Sequence, residues 1–174
     1  MNLLCRTLLS PIISEKDYVL HEESWNAYPY CKTVITNPTY MKGSFRVILE
    51  SLHLADRGES PNPFDDSPSE VIDIAEPRSK KLPEDMVEPS SHVATVQGVQ
   101  RGPLDQEDWV STVEPVMTCY KQVSVVCKWG LLTNRLEKAI LQSYRKLLLA
   151  FHQMIWLSIP QWIDLTLEQV EHDR

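Results

Sequence analysis

The sequence has no apolar run approaching the ~20 residues that a bilayer-spanning helix needs, so any membrane contact is expected to be peripheral. It has no C-x-x-C pair either. Its four cysteines, Cys5, Cys31, Cys119 and Cys127, are scattered, which fits reduced cytosolic thiols better than a disulfide framework or a zinc site. Positive charge is short: 17 Lys and Arg against 24 Asp and Glu leave a net charge of −7, which excludes a globally basic nucleic-acid binder. G-x-S-x-G, H-E-x-x-H and P-loop patterns are absent, so the residues for those hydrolytic and phosphate-transfer chemistries are not assembled. No internal repeat is visible.

What remains is a chain of 174 residues, long enough for one domain with a core. Its 43% hydrophobic content and five tryptophans argue against wholesale disorder. The opening MNLLCRTLLSPII is faintly signal-like, but Arg6 divides its apolar part and no small-x-small cleavage site follows. Residues 1–53 carry aromatic and β-branched runs separated by turn residues. Residues 54–92 hold ten acidic residues, four basic ones and six of the twelve prolines. That stretch reads as a long surface excursion with one short strand at Val71–Ile74, and with Asp65 and Asp66 forming a solvated acidic surface.

Three segments alternate as strands do. One face presents Cys31, Thr33 and Ile35; another Phe45, Val47, Leu49 and Ser51; a third Lys121, Val123, Val125 and Cys127. Each mostly apolar face carries a polar group, and a buried ammonium at Lys121 requires an anionic partner or a route to water. Two readings stand. Lys121 sits at a strand end and snorkels to solvent, or it lines a greasy cavity whose sparse polar groups converge on a ligand phosphate.

Leu132, Leu136, Ala139, Ile140, Leu147, Phe151, Met154 and Ile155 recur at three- and four-residue intervals, predicting a helix over 132–157 that Pro160 ends or kinks. His152, among these apolar positions, reads as a structural histidine. Thr166-Leu167-Glu168-Gln169 matches a capping box, with Leu165 and Val170 as a flanking staple. Only about two turns would follow before Arg174, so the helix is expected to be cut short.

The run Glu22-Glu23-Ser24-Trp25-Asn26-Ala27-Tyr28-Pro29-Tyr30-Cys31-Lys32-Thr33-Val34-Ile35-Thr36-Asn37 resembles a stretch of the phosphatidylinositol transfer protein family. So do Arg101-Gly102-Pro103-Leu104, Trp109, Cys119-Tyr120-Lys121, Lys128-Trp129-Gly130-Leu131 and Trp162-Ile163-Asp164-Leu165-Thr166, in the family's order. The resemblance implies an α+β, START-like (helix-grip) fold: a curved antiparallel sheet with a long carboxy-terminal helix, enclosing one lipid. It divides the chain into a divergent segment 1–20 and a partial transfer domain 21–174, with 54–98 as an acidic, Pro-rich divergent excursion. It also implies non-catalytic exchange of phosphatidylinositol and phosphatidylcholine, and in some relatives phosphatidic acid. Asn26 would contact the inositol ring, and Thr33, Ser51 and Lys121 would hold the phosphate. Cys31 would lie near the head group, either as an inert buried thiol or as a modifiable gate. Trp129 would dock on the membrane or, alternatively, fill the core at a strand-to-helix turn.

The expected protein is thus a cytoplasmic monomer that meets membrane surfaces transiently and takes no nucleic acid. It needs no metal and no cofactor besides its bound phospholipid. Departures from the family pattern lead to the expectation of truncation at both ends. Here only about 20 unrelated-looking residues precede the Trp-Asn-Ala-Tyr-Pro-Tyr run, Lys128 is followed by Trp129 alone where the family usually has two adjacent docking tryptophans, and the lid helix is missing. The rival to a transfer module is therefore a transfer-incompetent variant acting at most as a protein or membrane interaction module.

Overall fold

Alternation becomes strand at all three places where the spacing predicts it. In the computed structural model, which describes residues 19–39, 41–64, 69–77, 87–166 and 168–169, the elements run β1 (His21–Ala27), β2 (Tyr30–Asn37), β3 (Lys42–Leu54), β4 (Ala94–Val96), β5 (Val99–Arg101), α1 (Trp109–Thr112), β6 (Thr118–Cys127), α2 (Thr133–Leu157) and α3 (Ile159–Trp162). The architecture is α+β, with a curved antiparallel sheet and a long helix near the carboxyl end. The chain divides into two units, Met1–Ser69 with Met117–Arg145 and Glu70–Val116 with Lys146–Arg174.

In the first unit the sheet has the order β1-β2-β3-β6, each neighbour antiparallel. Aromatic and β-branched residues dominate β2 and β6, as strand geometry favours. One sheet face packs Ile35, Phe45, Val47 and Cys127 with Tyr144, joined by Leu136 and Ile140 from the first half of α2. The opposite face is mixed, with a polar cluster among apolar residues. There Lys32 pairs with Glu50 at 3.5 Å, and the Tyr30 hydroxyl donates to the same carboxylate, which raises the Tyr30 pKa. Asp56, just after β3, accepts from the Gly58 amide (3.0 Å), the Ser60 hydroxyl and the Tyr120 hydroxyl (3.1 Å). Its carbonyl accepts from Thr118 at 2.8 Å, so this turn is fastened to β6.

In the second unit β4 and β5 form a hairpin around Gln97 and Gly98, both at positive φ (50° and 76°). Its core joins Ala94, Val96, Leu104, Trp156 and Ile159. Trp156 Nε1 donates to the Pro89 carbonyl at 2.9 Å. The apolar spacing of the helix misses part of this packing. Leu147, Phe151 and Met154 are exposed, whereas Gln153 and Trp156 are buried. Gln153 is inside because its Nε2 donates to the carbonyls of Ile74 (3.1 Å) and Glu76 (2.8 Å), and a buried amide so satisfied costs little.

The strand expected at Val71–Ile74 does not form. Val71 is exposed, and Asp73 turns the chain by accepting the Ala75 amide at 2.8 Å, a local bond that competes with extension. α2 ends at Leu157, and Pro160 occupies the first turn of α3, where its missing N–H costs nothing. The capping box is present: the Thr166 amide donates to Gln169 Oε1 (2.8 Å) and the Gln169 amide to Thr166 Oγ1 (3.3 Å). Cys5, Asp65, Asp66, Val170 and the signal-like opening lie outside the described residues.

Candidate functional site

Antiparallel pairing lines up residues that lie far apart in the chain. Asn26 faces Cys31, Cys31 faces Ser51, and Ser51 faces Lys121. One polar row therefore crosses all four strands on a single face, because directly opposed residues project to the same side. Thr33 stands two residues from Cys31 on that face, opposite Ser24 and Leu49. All five residues expected at a head group thus fall on one patch.

Within the row, Lys121 Nζ donates to Ser51 Oγ at 3.0 Å and the Cys31 thiol donates to Asn26 Oδ1 at 3.0 Å. Ser24 and Thr33 share a hydroxyl–hydroxyl bond of 3.0 Å. Burial grades along the row: Ser51 is only 5% exposed, Cys31 and Lys121 are half-buried, and Asn26 is exposed. Among the described residues no carboxylate forms an ion pair with Lys121. A half-buried ammonium held by a neutral hydroxyl keeps donor capacity for an anion.

Cys119 belongs to this face, two residues before Lys121 and opposite His53. Burial pushes its thiol pKa up, and the nearby Lys121 ammonium partly offsets the rise. The period-two pattern of β6 contains this position one step further back than the expected set begins. Past Ser51, His53 Nδ1 meets the Pro29 carbonyl at 3.2 Å, and its ring stacks on Tyr28 with centroids 5.9 Å apart.

Trp129 is half-buried at the exit of β6, its amide donating to Thr133 Oγ1 at 2.8 Å. In the second unit, a cleft of about 310 Å³ is lined by residues 100–104, Gln106, Trp109 and residues 112–114, and it includes none of the residues named for the head group. No described helix is long and apolar enough to cross a membrane.

The family model described as phosphatidylinositol transfer protein matches residues 6–173, a span containing every residue of this row. The chain belongs to the phosphatidylinositol transfer protein family. It is 35% identical to the human phosphatidylinositol transfer protein beta isoform over 173 residues, covering 91% of this chain and 62% of that protein. It is 37% identical to phosphatidylinositol transfer protein 2 of Dictyostelium discoideum over 161 residues, covering 87% and 60% respectively. The chain therefore spans about three fifths of the length of these curated relatives. Against this membership, the Arg101-Gly102-Pro103-Leu104 match has a structural account. Arg101 Nη1 donates to the Glu114 carbonyl (2.8 Å), the Leu104 amide donates to the Ser90 carbonyl (2.7 Å), and a Cβ at Gly102 would stand 2.3 Å from the His92 carbonyl oxygen.

Proposed function

We propose that this chain binds a glycerophospholipid through the row Asn26–Cys31–Ser51–Lys121 and carries it between membranes, with phosphatidylinositol and phosphatidylcholine as cargo. The observation that carries this reading is the register, which sets a cation, with no paired carboxylate among the described residues, beside a hydroxyl at one end and an amide at the other. A phosphodiester is a permanent anion, and Lys121 with Ser51 and Thr33 offers it charge-assisted and neutral donors. Asn26 can donate to and accept from inositol hydroxyls, which choline lacks. In this reading the cargo leaves chemically unchanged and phosphatidic acid is a third candidate ligand. The working state is a monomer that visits membranes from the cytoplasm.

Mass spectrometry of lipids copurifying with the folded protein tests the reading. Phosphatidylinositol or phosphatidylcholine near one per chain is the expected result, with loss in Lys121→Ala. Folded protein emerging lipid-free from a lipid-rich lysate would overturn it in favour of a transfer-incompetent interaction module.

A further inference from the structure

The loop that follows β3 is fastened to β6 through one aspartate and one serine. Ser60 Oγ donates to the Asp56 carboxylate, which also accepts from the Gly58 amide (3.0 Å) and the Tyr120 hydroxyl (3.1 Å). Thr118 Oγ1 donates to the Asp56 carbonyl at 2.8 Å. These bonds reach β6 where Thr118 pairs with Leu54 and Tyr120 with Leu52. Successive strand residues point to opposite faces, so Tyr120 holds the strand from one side while Lys121 faces the polar row on the other.

Ser60 is followed directly by Pro61. Both lie in irregular backbone, with Ser60 half-buried between exposed Gly58 and Glu59 on one side and exposed Pro61, Asn62 and Pro63 on the other. Proline has no N–H to satisfy, so it suits a kinase whose substrate groove offers no acceptor just past the hydroxyl. The bonding of the loop gives such a site a consequence. A phosphate on Ser60 would remove the hydroxyl donor and bring a charge of about −1.5 to −2. It would stand against a carboxylate that is already ionised, because the Ser60 hydroxyl and the Gly58 amide hold the Asp56 pKa at about 2. Like charges at that contact repel.

We propose that Ser60 is a phosphorylation site for a proline-directed serine/threonine kinase, and that phosphate there releases the Asp56 turn from Thr118 and Tyr120. In the transfer, a bond forms between Ser60 Oγ and the γ-phosphorus of a nucleoside triphosphate as the bond from that phosphorus to the β–γ bridging oxygen breaks. The nucleoside diphosphate leaves, and the hydroxyl proton passes to the base of the kinase. Release of the turn needs no cargo. Its effect on cargo rests on the transfer reading, because the strand so loosened is the one that carries Lys121.

The test incubates the purified chain with a proline-directed kinase and magnesium ATP, and fragment mass spectrometry locates the phosphate. Ser10 and Ser67 also precede proline and lie outside the described residues, so both are changed to alanine in the chain used. Transfer to Ser60, lost in Ser60→Ala, is the expected result. The phosphorylated chain should melt about 2–4 °C below the unmodified one. In Asp56→Asn no carboxylate opposes the phosphate, and the same modification should lower Tm by about half as much or less. A folded chain that takes no phosphate at Ser60 overturns the site. An unchanged or raised Tm, as capture of the phosphate by neighbouring Arg57 would give, overturns the release, and so does an equal fall in Asp56→Asn. Lipid carried by each preparation is measured alongside. Retention of phosphatidylinositol lowered about tenfold by phosphorylation supports the link to Lys121, and unchanged retention overturns that link. A parent that never carries lipid sinks the transfer reading alone, since the Tm comparison stands without cargo.

Discussion

At Lys121 an ammonium lies 3.0 Å from a serine hydroxyl, next to the half-buried Cys119 thiol, with no carboxylate paired to it among the described residues. A charge-assisted bond to a phosphate there is worth about 1.5–3 kcal/mol. Lys121→Ala should therefore weaken phosphatidylinositol and phosphatidylcholine alike, by about tenfold or more, in a vesicle-to-protein transfer assay. Equal affinity in the variant would return Lys121 to the role of a solvent-seeking strand side chain. Asn26 should behave differently. Its Oδ1 holds the Cys31 thiol, but its amide group has donors that an inositol ring can use and choline cannot. Asn26→Ala should cost phosphatidylinositol about 1–3 kcal/mol and phosphatidylcholine much less. Competition between the two lipids measures the difference, and equal losses would assign Asn26 to the hairpin.

The elements that hold the row have their own weak points. β3 and β6 are tied at one end by Asp56, whose carboxyl is held down to about 2 by the Ser60 hydroxyl and the Gly58 amide, with help from Thr118 and Tyr120. A depressed carboxyl contributes stability above its unfolded pKa and loses it as the pH falls through its folded value. Stability should thus fall between about pH 4 and pH 2. Asp56→Asn should show a shallower decline over that window in denaturant titrations, and a parallel decline would remove Asp56 from the account. In the second unit, Gly102 has φ +80°, and an added Cβ would meet the His92 carbonyl oxygen at 2.3 Å. Gly102→Ala should destabilise by about 1–3 kcal/mol, read as a lower Tm. An unchanged Tm would mean that the backbone there shifts freely.

For the whole molecule, a lipid that binds only the folded state adds stability by mass action, about 2.7 kcal/mol at a hundredfold excess over Kd. Extraction of copurified lipid should lower Tm by about 5–10 °C, and added phosphatidylinositol should restore it. Restoration by detergent alone would show that apolar cover, not head-group recognition, supplies the effect.

The alternation of β2, β3 and β6, the start and stop of α2 and the capping box at Thr166 were all legible in the sequence. Each depends on local spacing: a period of two, a period near 3.6, or a side chain reaching three residues along the chain. The inward-facing residues of single strands were legible for the same reason, and the motifs that carry the family resemblance include Asn26, Thr33 and Lys121. Packing decided the rest. Gln153 is buried because two carbonyls about 77 residues away need its amide, while Leu147 and Phe151 are left outside. Asp73 turned an apolar run into a bend. Cys119 joined the site because register set it beside Lys121. Above all, that Asn26, Cys31, Ser51 and Lys121 stand in one line follows from the pairing of four strands. No spacing along the chain encodes that register, because it is set by which hydrophobic faces the strands must bury together.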